Sequence, residues 1–284
     1  MKKKKVIQFI GFFLLRACLY TVLAILLILL YDIGKKGGSA ISWEFLSQPP
    51  RRGMTQGGIF PAIMGTFLVT IVTAVLAIPF GMFAAIYLNE YARQTRLTRI
   101  IRLSIRNLSG VPSIVYGLFG VILFVNILRF GTSILSAGLT LGLLTLPWTI
   151  TASEEALKTI PNSYREGALA LGATKWQAIR TNVLPYAVPG MLTGTVLGLA
   201  RAAGETAPIL FTGAAFFLPG LPKSLSDQFM ALPYHLYIMA TQHHAIQQVR
   251  PLAYGTALVL IVLVLGMNMT AVIVRCRLRR KRRW

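Results

Sequence analysis

Arg201 and Glu205 stand four residues apart inside the apolar run Val188–Phe217, in the segment GLARAAGETAPILFT. That run is long enough to span a bilayer as helix. An ionisable side chain at such depth costs about 2.5 kcal/mol or more, so its presence points to a task. A guanidinium offers a planar fork of donors that fits carboxylate or phosphate oxygens two at a time. The chemistry indicated is the passage of an oxyanion through a membrane. On a continuous helix the two residues share a face. Arg201 lies thirteen residues beyond Val188, roughly 20 Å along the helix and past the bilayer midplane. Gly204 removes bulk beside the pair and permits close approach. Pro208 cannot donate to the Gly204 carbonyl, so a kink is expected there. The candidate path residues are therefore Arg201, Gly204, Glu205 and Thr206. Two roles fit the pair. In one, Arg201 meets the anion and Glu205 holds the arginine between passages, since a lone buried guanidinium would be uncompensated. In the other, the pair is structural glue between helices.

The elements that must hold these residues read as all-α and polytopic. Of 284 residues, 55% are apolar and 13% charged, against about 25% charged in a soluble domain. Six spans are expected: Phe9–Tyr31, Ile59–Leu88, Pro112–Leu128, Ile134–Thr151, Val188–Phe217 and Tyr254–Val274. The segment Arg129–Ser133 reads as a tight turn between the third and fourth. The first is a spanning helix rather than a secretory signal, because its apolar stretch exceeds the usual h-region and no small-x-small site follows promptly. Cys18 and Cys276 supply neither a disulfide framework nor metal spacing.

The formal charge of +21 is explained by topology, not by nucleic acid. Twenty of the 29 Lys and Arg fall on one side of the six spans: Lys2–Lys5, five between Arg93 and Arg106, then Lys158, Arg165, Lys175 and Arg180, and seven from Arg275 to Arg283. The opposite side carries seven, and Arg16 and Arg201 lie within spans. The positive-inside rule places both termini in the cytoplasm, with the basic tail against anionic lipid headgroups.

Residues Asp32–Gly58 read as an outside loop, and Pro79 and Gly81 as a kink in span two. Arg93–Leu108 has apolar residues at helical spacing (Leu97, Ile100, Ile101, Ile105, Leu108) among its arginines, the pattern of an interfacial amphipathic helix. The cytoplasmic stretch Ala152–Tyr186 holds Glu154, Glu155 and Glu166. Ser163-x-x-Glu166 and Thr174-x-x-Gln177 read as two capping boxes, with Gly172 stopping the first helix. Such a hairpin suits a docking surface for another protein, or a loop packed on its own helix ends.

Within that hairpin, EGALALGATKWQAIRTNVLP resembles the EAA loop of ABC-importer permeases. Glu166, Ala168, Gly172, Leu184 and Pro185 match the pattern; Gly167 and Asn182 depart from it. Together with GGIFPAIMGT, NLSGVPSIVYGLFG, ARAAGETAPILFT and FMALPYHLYIMATQ, the chain resembles the A-type permease subunit of the bacterial phosphate-specific ABC transporter. The resemblance implies a type I ABC-importer permease fold over residues 1–284 as one transmembrane domain, with 57–275 its core and 152–186 its EAA coupling loop. It implies a bacterial cytoplasmic (inner) membrane setting and import of phosphate by alternating access. The implied partners are a related C-type permease subunit, an ATPase dimer and an extracytoplasmic phosphate-binding protein. ATPase coupling would fall to Glu166, Gly167, Ala168, Gly172, Leu184 and Pro185. No cofactor is expected on this chain. ATP and Mg would sit on the ATPase, consistent with the absence here of a G-x-x-x-x-G-K-[ST] loop.

Other readings leave traces in the same residues. Sulfate, molybdate or a phosphonate would also meet a guanidinium, although a protonated phosphate could donate a hydrogen bond to Glu205, which fully ionised sulfate cannot do. An intramembrane enzyme would need more than His235, His243 and His244, which lack H-E-x-x-H spacing and read as surface or interface residues. A secondary transporter would leave the cytoplasmic hairpin unexplained. The outer segment Pro219–Pro251 reads as partly apolar, either receiving a binding protein or capping the path.

Overall fold

The computed structural model describes residues 2–218 and 220–280, with backbone only at 2, 3, 5–7 and 278–280. Lys281, Arg282 and Arg283 of the basic tail, and Pro219, lie outside the described residues. Helix α1 (Lys2–Gly38) is one long apolar rod. The expected outer loop is partly structured. Helix α1 runs to Gly38, and α2 (Trp43–Ser47) is capped by Ser42. Strands β1 (Pro50–Arg51) and β2 (Gln56–Gly57) then pair antiparallel. Span two is α3 (Phe60–Ile86) followed by a π-helical turn Tyr87–Tyr91. The helix passes through Pro79 unbroken, and Gly81 lets it approach Thr149 closely.

Helix α4 (Arg96–Leu108) begins at a Thr95 cap and meets α5 (Ser113–Gly120) at a bend of 102°. A second π-helical stretch, Val121–Ile127, continues α5. The turn after it uses positive φ at Arg129 and Gly131, as its place between two spans requires. Ser133 caps α6 (Ile134–Lys158), its side chain accepting from the Ser136 amide. Helix α6 extends two turns past the expected Thr151, so Glu154 and Glu155 belong to a helix end rather than a loop.

The hairpin expected on the cytoplasmic side is α7 (Ser163–Ala170), α8 (Lys175–Ala178) and a π-helical turn Ile179–Val183. Thr174 and Gln177 form the expected capping box. Ser163 and Glu166 do not, because α7 starts at Ser163 itself, with Asn162 at the cap making no side-chain bond. Gly172 ends α7 at φ +83°, with its amide on the Leu169 carbonyl and that of Ala173 on Ala168, a Schellman closure. Helix α9 (Leu184–Ala202) follows, then α10 (Ala207–Thr212), α11 (Leu232–Thr241) and α12 (Ile246–Arg280). Leu184 and Pro185 therefore lie inside one helical run, Lys175–Ala202, that is long and apolar enough to span a membrane.

Among the described residues, five helical stretches are long and apolar enough to cross a membrane, and the number is six if the bent pair Arg96–Leu108 with Ser113–Ile127 is one span. Helix α6 is the centre, packed between α3 and α9. One core layer joins Ala85, Leu88, Leu157, Ile179, Val183 and Met191 near the hairpin. Another joins Val69, Ile134, Leu141, Ile209 and Phe229 at the opposite end. Part of the outer segment belongs to the core. Phe229, Met230, Ala231 and Leu232 are at most 1% exposed. They seat on α3 where Gly65 has no Cβ to collide with the Met230 carbonyl.

Thr66 completes that seat. Its hydroxyl donates to the Ala62 carbonyl at 2.8 Å and accepts from the Leu232 amide at 2.8 Å. Thr66→Val keeps the shape and orphans a buried amide, so unfolding should become easier by about 1–3 kcal/mol. Thr70→Val, which loses only a bond to its own helix at Thr66, is the control in detergent thermal unfolding. Equal melting of the two variants would refute this account of the seat.

Candidate functional site

Arg201 occupies the last turn of α9, and the helix stops at Ala202. The expected continuous span Val188–Phe217 is broken over residues 203–206, upstream of the anticipated kink. There the amides of Gly204 and Glu205 reach back to the Arg201 and Ala202 carbonyls in tight turns. Pro208 does not bend a helix; it sits in the first turn of α10, where its missing N–H costs nothing. Broken helices at membrane depth persist where they line a cavity or are covered by protein.

The pair is looser than a continuous helix would make it. Arg201 Nε lies 3.7 Å from Glu205 Oε1, and the two side chains are 53% and 16% exposed. The guanidinium carbon stands 5.4 Å from the centre of the Trp148 ring on α6, within cation–π range. Arg201 is therefore not buried within this chain. Among the described residues its guanidinium makes no hydrogen bond, so its donors are unspent. Gly204 is exposed, and only the Arg201 carbonyl would lie near a Cβ there. The close approach expected at Gly204 is not made by this chain. Thr206 is half-buried at the start of α10 without capping it. The structure brings Arg201, Glu205 and Trp148 onto one face. At membrane depth such a face is costly against lipid, so it belongs to a passage or a partner.

At the other end, the hairpin separates its residues by burial. Glu166, Gly167 and Gly172 are exposed, Ala168 is buried, and Leu184 and Pro185 are half-buried. Ala168 thus packs inward within this chain. Leu171 is 90% exposed, the most of any large apolar side chain among the described residues, with Leu169 and Trp176 also exposed.

Residues 77–283 match the family model of the binding-protein-dependent transport system inner membrane component. The chain belongs to that family. It is 38% identical over 234 residues to the phosphate transport system permease protein PstA 1 of Mycobacterium tuberculosis, covering 80% of this chain and 72% of that one. It is 34% identical over 195 residues to the probable ABC transporter permease protein YqgI of Bacillus subtilis, covering 69% of this chain and 66% of that protein. Its fold is similar to that of a chain in a bacterial ABC transporter involved in the import of the acidic polysaccharide alginate. The TM-score is 0.64, over 93% of this chain and 96% of that one, at 15% identity. As a member of the family, the chain is a multi-pass, non-catalytic inner-membrane component of a transport system that works with a binding protein.

Several structural features around these residues escaped sequence reasoning. Trp148 has no polar signature, and only the fold sets it against Arg201. Leu171 looked like one more apolar residue on a helix, and its exposure follows from the turn at Gly172. Of the three histidines expected at a surface or interface, His244 is exposed, whereas His235 and His243 are buried within the chain, at 2% and 3% exposed. His243 Nδ1 accepts from the Ala245 amide, so Nε2 donates to the Gly53 carbonyl at 2.6 Å and pins the outer segment to the loop after α2. Burial, then the nearby His243, pushes His235 down to about 4. No group of metal-ligating side chains gathers among the described residues.

Proposed function

We propose that this chain is the A-type permease subunit of an ATP-driven importer that carries inorganic phosphate inward by alternating access. The observation that carries the reading is the half-exposed Arg201 guanidinium, with unspent donors, at a helix break in the membrane. A dianion or monoanion of phosphate presents paired oxygens to such a fork, and Glu205 beside it can accept from a protonated phosphate oxygen. The similarity to phosphate permeases supports the same substrate. The face bearing Arg201 and Trp148 is completed by a related C-type permease. The hairpin around Leu171 rests on an ATPase dimer, which alone binds ATP and Mg. An extracytoplasmic phosphate-binding protein delivers the anion.

The test is uptake of labelled phosphate by cells with and without the chain, challenged with excess unlabelled sulfate. Chain-dependent uptake that sulfate does not dent is expected. No chain-dependent phosphate uptake, with the partner proteins confirmed present, would overturn the substrate assignment.

A further inference from the structure

The π-helical turn Tyr87–Tyr91, at the cytoplasmic end of span two, is held from two sides. Arg165 on α7 reaches Glu90 with two prongs, Nη2 to Oε1 at 2.6 Å and Nε to Oε2 at 3.0 Å. The side chains are 18% and 5% exposed. Asn89 adds a donor to Glu90 at 2.9 Å. The same guanidinium donates to the Ile160 carbonyl at 2.9 Å and the Leu157 carbonyl at 3.2 Å, closing the end of α6, where a cation is favoured. The second hairpin helix joins in: Lys175 lies 5.0 Å over the Tyr91 ring. On the other side, Arg102 of α4 donates to the Leu88 carbonyl at 2.5 Å, and its Nε is 3.2 Å from Glu154 Oε1 on α6.

A buried ion pair is a poor way to add stability, because desolvation offsets the attraction, but it fixes geometry well. A π-helical turn is a common mark of a working position in a helix. Here the fixed geometry ties the hairpin to α3. At its other end, α3 carries Gly65 and Thr66, the seat of Met230–Leu232. One helical run, α3 with its π-helical turn, therefore extends from the hairpin to the buried outer segment.

We propose that Arg165 and Glu90 are positioning residues that transmit hairpin movement through span two to the outer segment. They couple ATP hydrolysis to access without touching the anion. The proposal rests on the importer reading above. It also distinguishes this pair from the neighbouring Lys158–Glu155 bridge, which is exposed and sits on a single helix.

The test uses the full complex reconstituted with its ATPase, partner permease and binding protein. Three quantities are read: basal ATP hydrolysis, its stimulation by the loaded binding protein, and phosphate uptake per ATP. Glu90→Gln should keep basal hydrolysis while stimulation and uptake per ATP fall about tenfold. Glu90→Asp should restore part of both, and Glu155→Gln should change neither. If Glu90→Gln fails to assemble, Arg165→Lys carries the comparison, since it keeps the charge but loses the two-pronged hold. Wild-type stimulation and uptake per ATP in these variants would overturn the proposal. So would a fall of basal hydrolysis in equal proportion, the mark of mere structural support. A wild-type complex that shows stimulation but no phosphate uptake would sink the phosphate reading alone, and the stimulation values would still judge the linkage.

Discussion

Arg201→Ala is expected to lower phosphate uptake by about a hundredfold, equivalent to ~2.7 kcal/mol, while the subunit still assembles. The size follows from removing the guanidinium fork that the proposed function sets against the anion. Arg201→Lys should fall between, near tenfold, because an ammonium keeps the charge without the planar pairing. Assembly should survive because little of the fold rests on this side chain. It is 53% exposed, stands 3.7 Å from Glu205 and stacks on Trp148, itself 45% exposed. Uptake assays on variants matched for membrane level check both statements. Normal uptake by the alanine variant would leave the pair as structural glue and remove the anion from this position.

Leu171→Glu should release the ATPase from the complex. Burying one leucine side chain is worth about 2 kcal/mol, so affinity should drop about thirtyfold, and more if the carboxylate must be desolvated. The chain's own stability should not move, because Leu171 is 90% exposed and makes a turn whose geometry is set by Gly172 at φ +83°. Co-purification and a binding titration of the ATPase against detergent-solubilised permease give the answer. Retention at wild-type affinity would move the docking surface away from the hairpin tip.

Much of the architecture was legible in the chain. Most of the spans followed from apolar length. The Thr174–Gln177 box and the stop at Gly172 followed from cap chemistry, which acts over a few residues. The errors share a cause. The break at 203–206 was placed at Pro208 because proline marks where a helix cannot continue. Whether it kinks a helix or starts a new one depends on what neighbouring helices cover. Ser163 and Glu166 have the spacing of a box, but the chain enters α7 one residue too early for Ser163 to cap it. Glu154 read as loop because an apolar count ends with the last apolar residue, whereas α6 continues to meet Arg102.

For function, residue types and spacing alone supplied the membrane class, an arginine suited to an oxyanion and a cytoplasmic hairpin, because apolar length, charge placement and capping are local properties. Tertiary structure decided which of those residues meet. It left Arg201 open beside Trp148, turned Ala168 inward and Leu171 outward, sank Phe229–Leu232 into the core, and joined Arg165 to Glu90 across 75 positions of sequence. Such contacts depend on how α3, α6 and α9 pack, and packing between distant segments leaves no periodic or cap-like trace in either one.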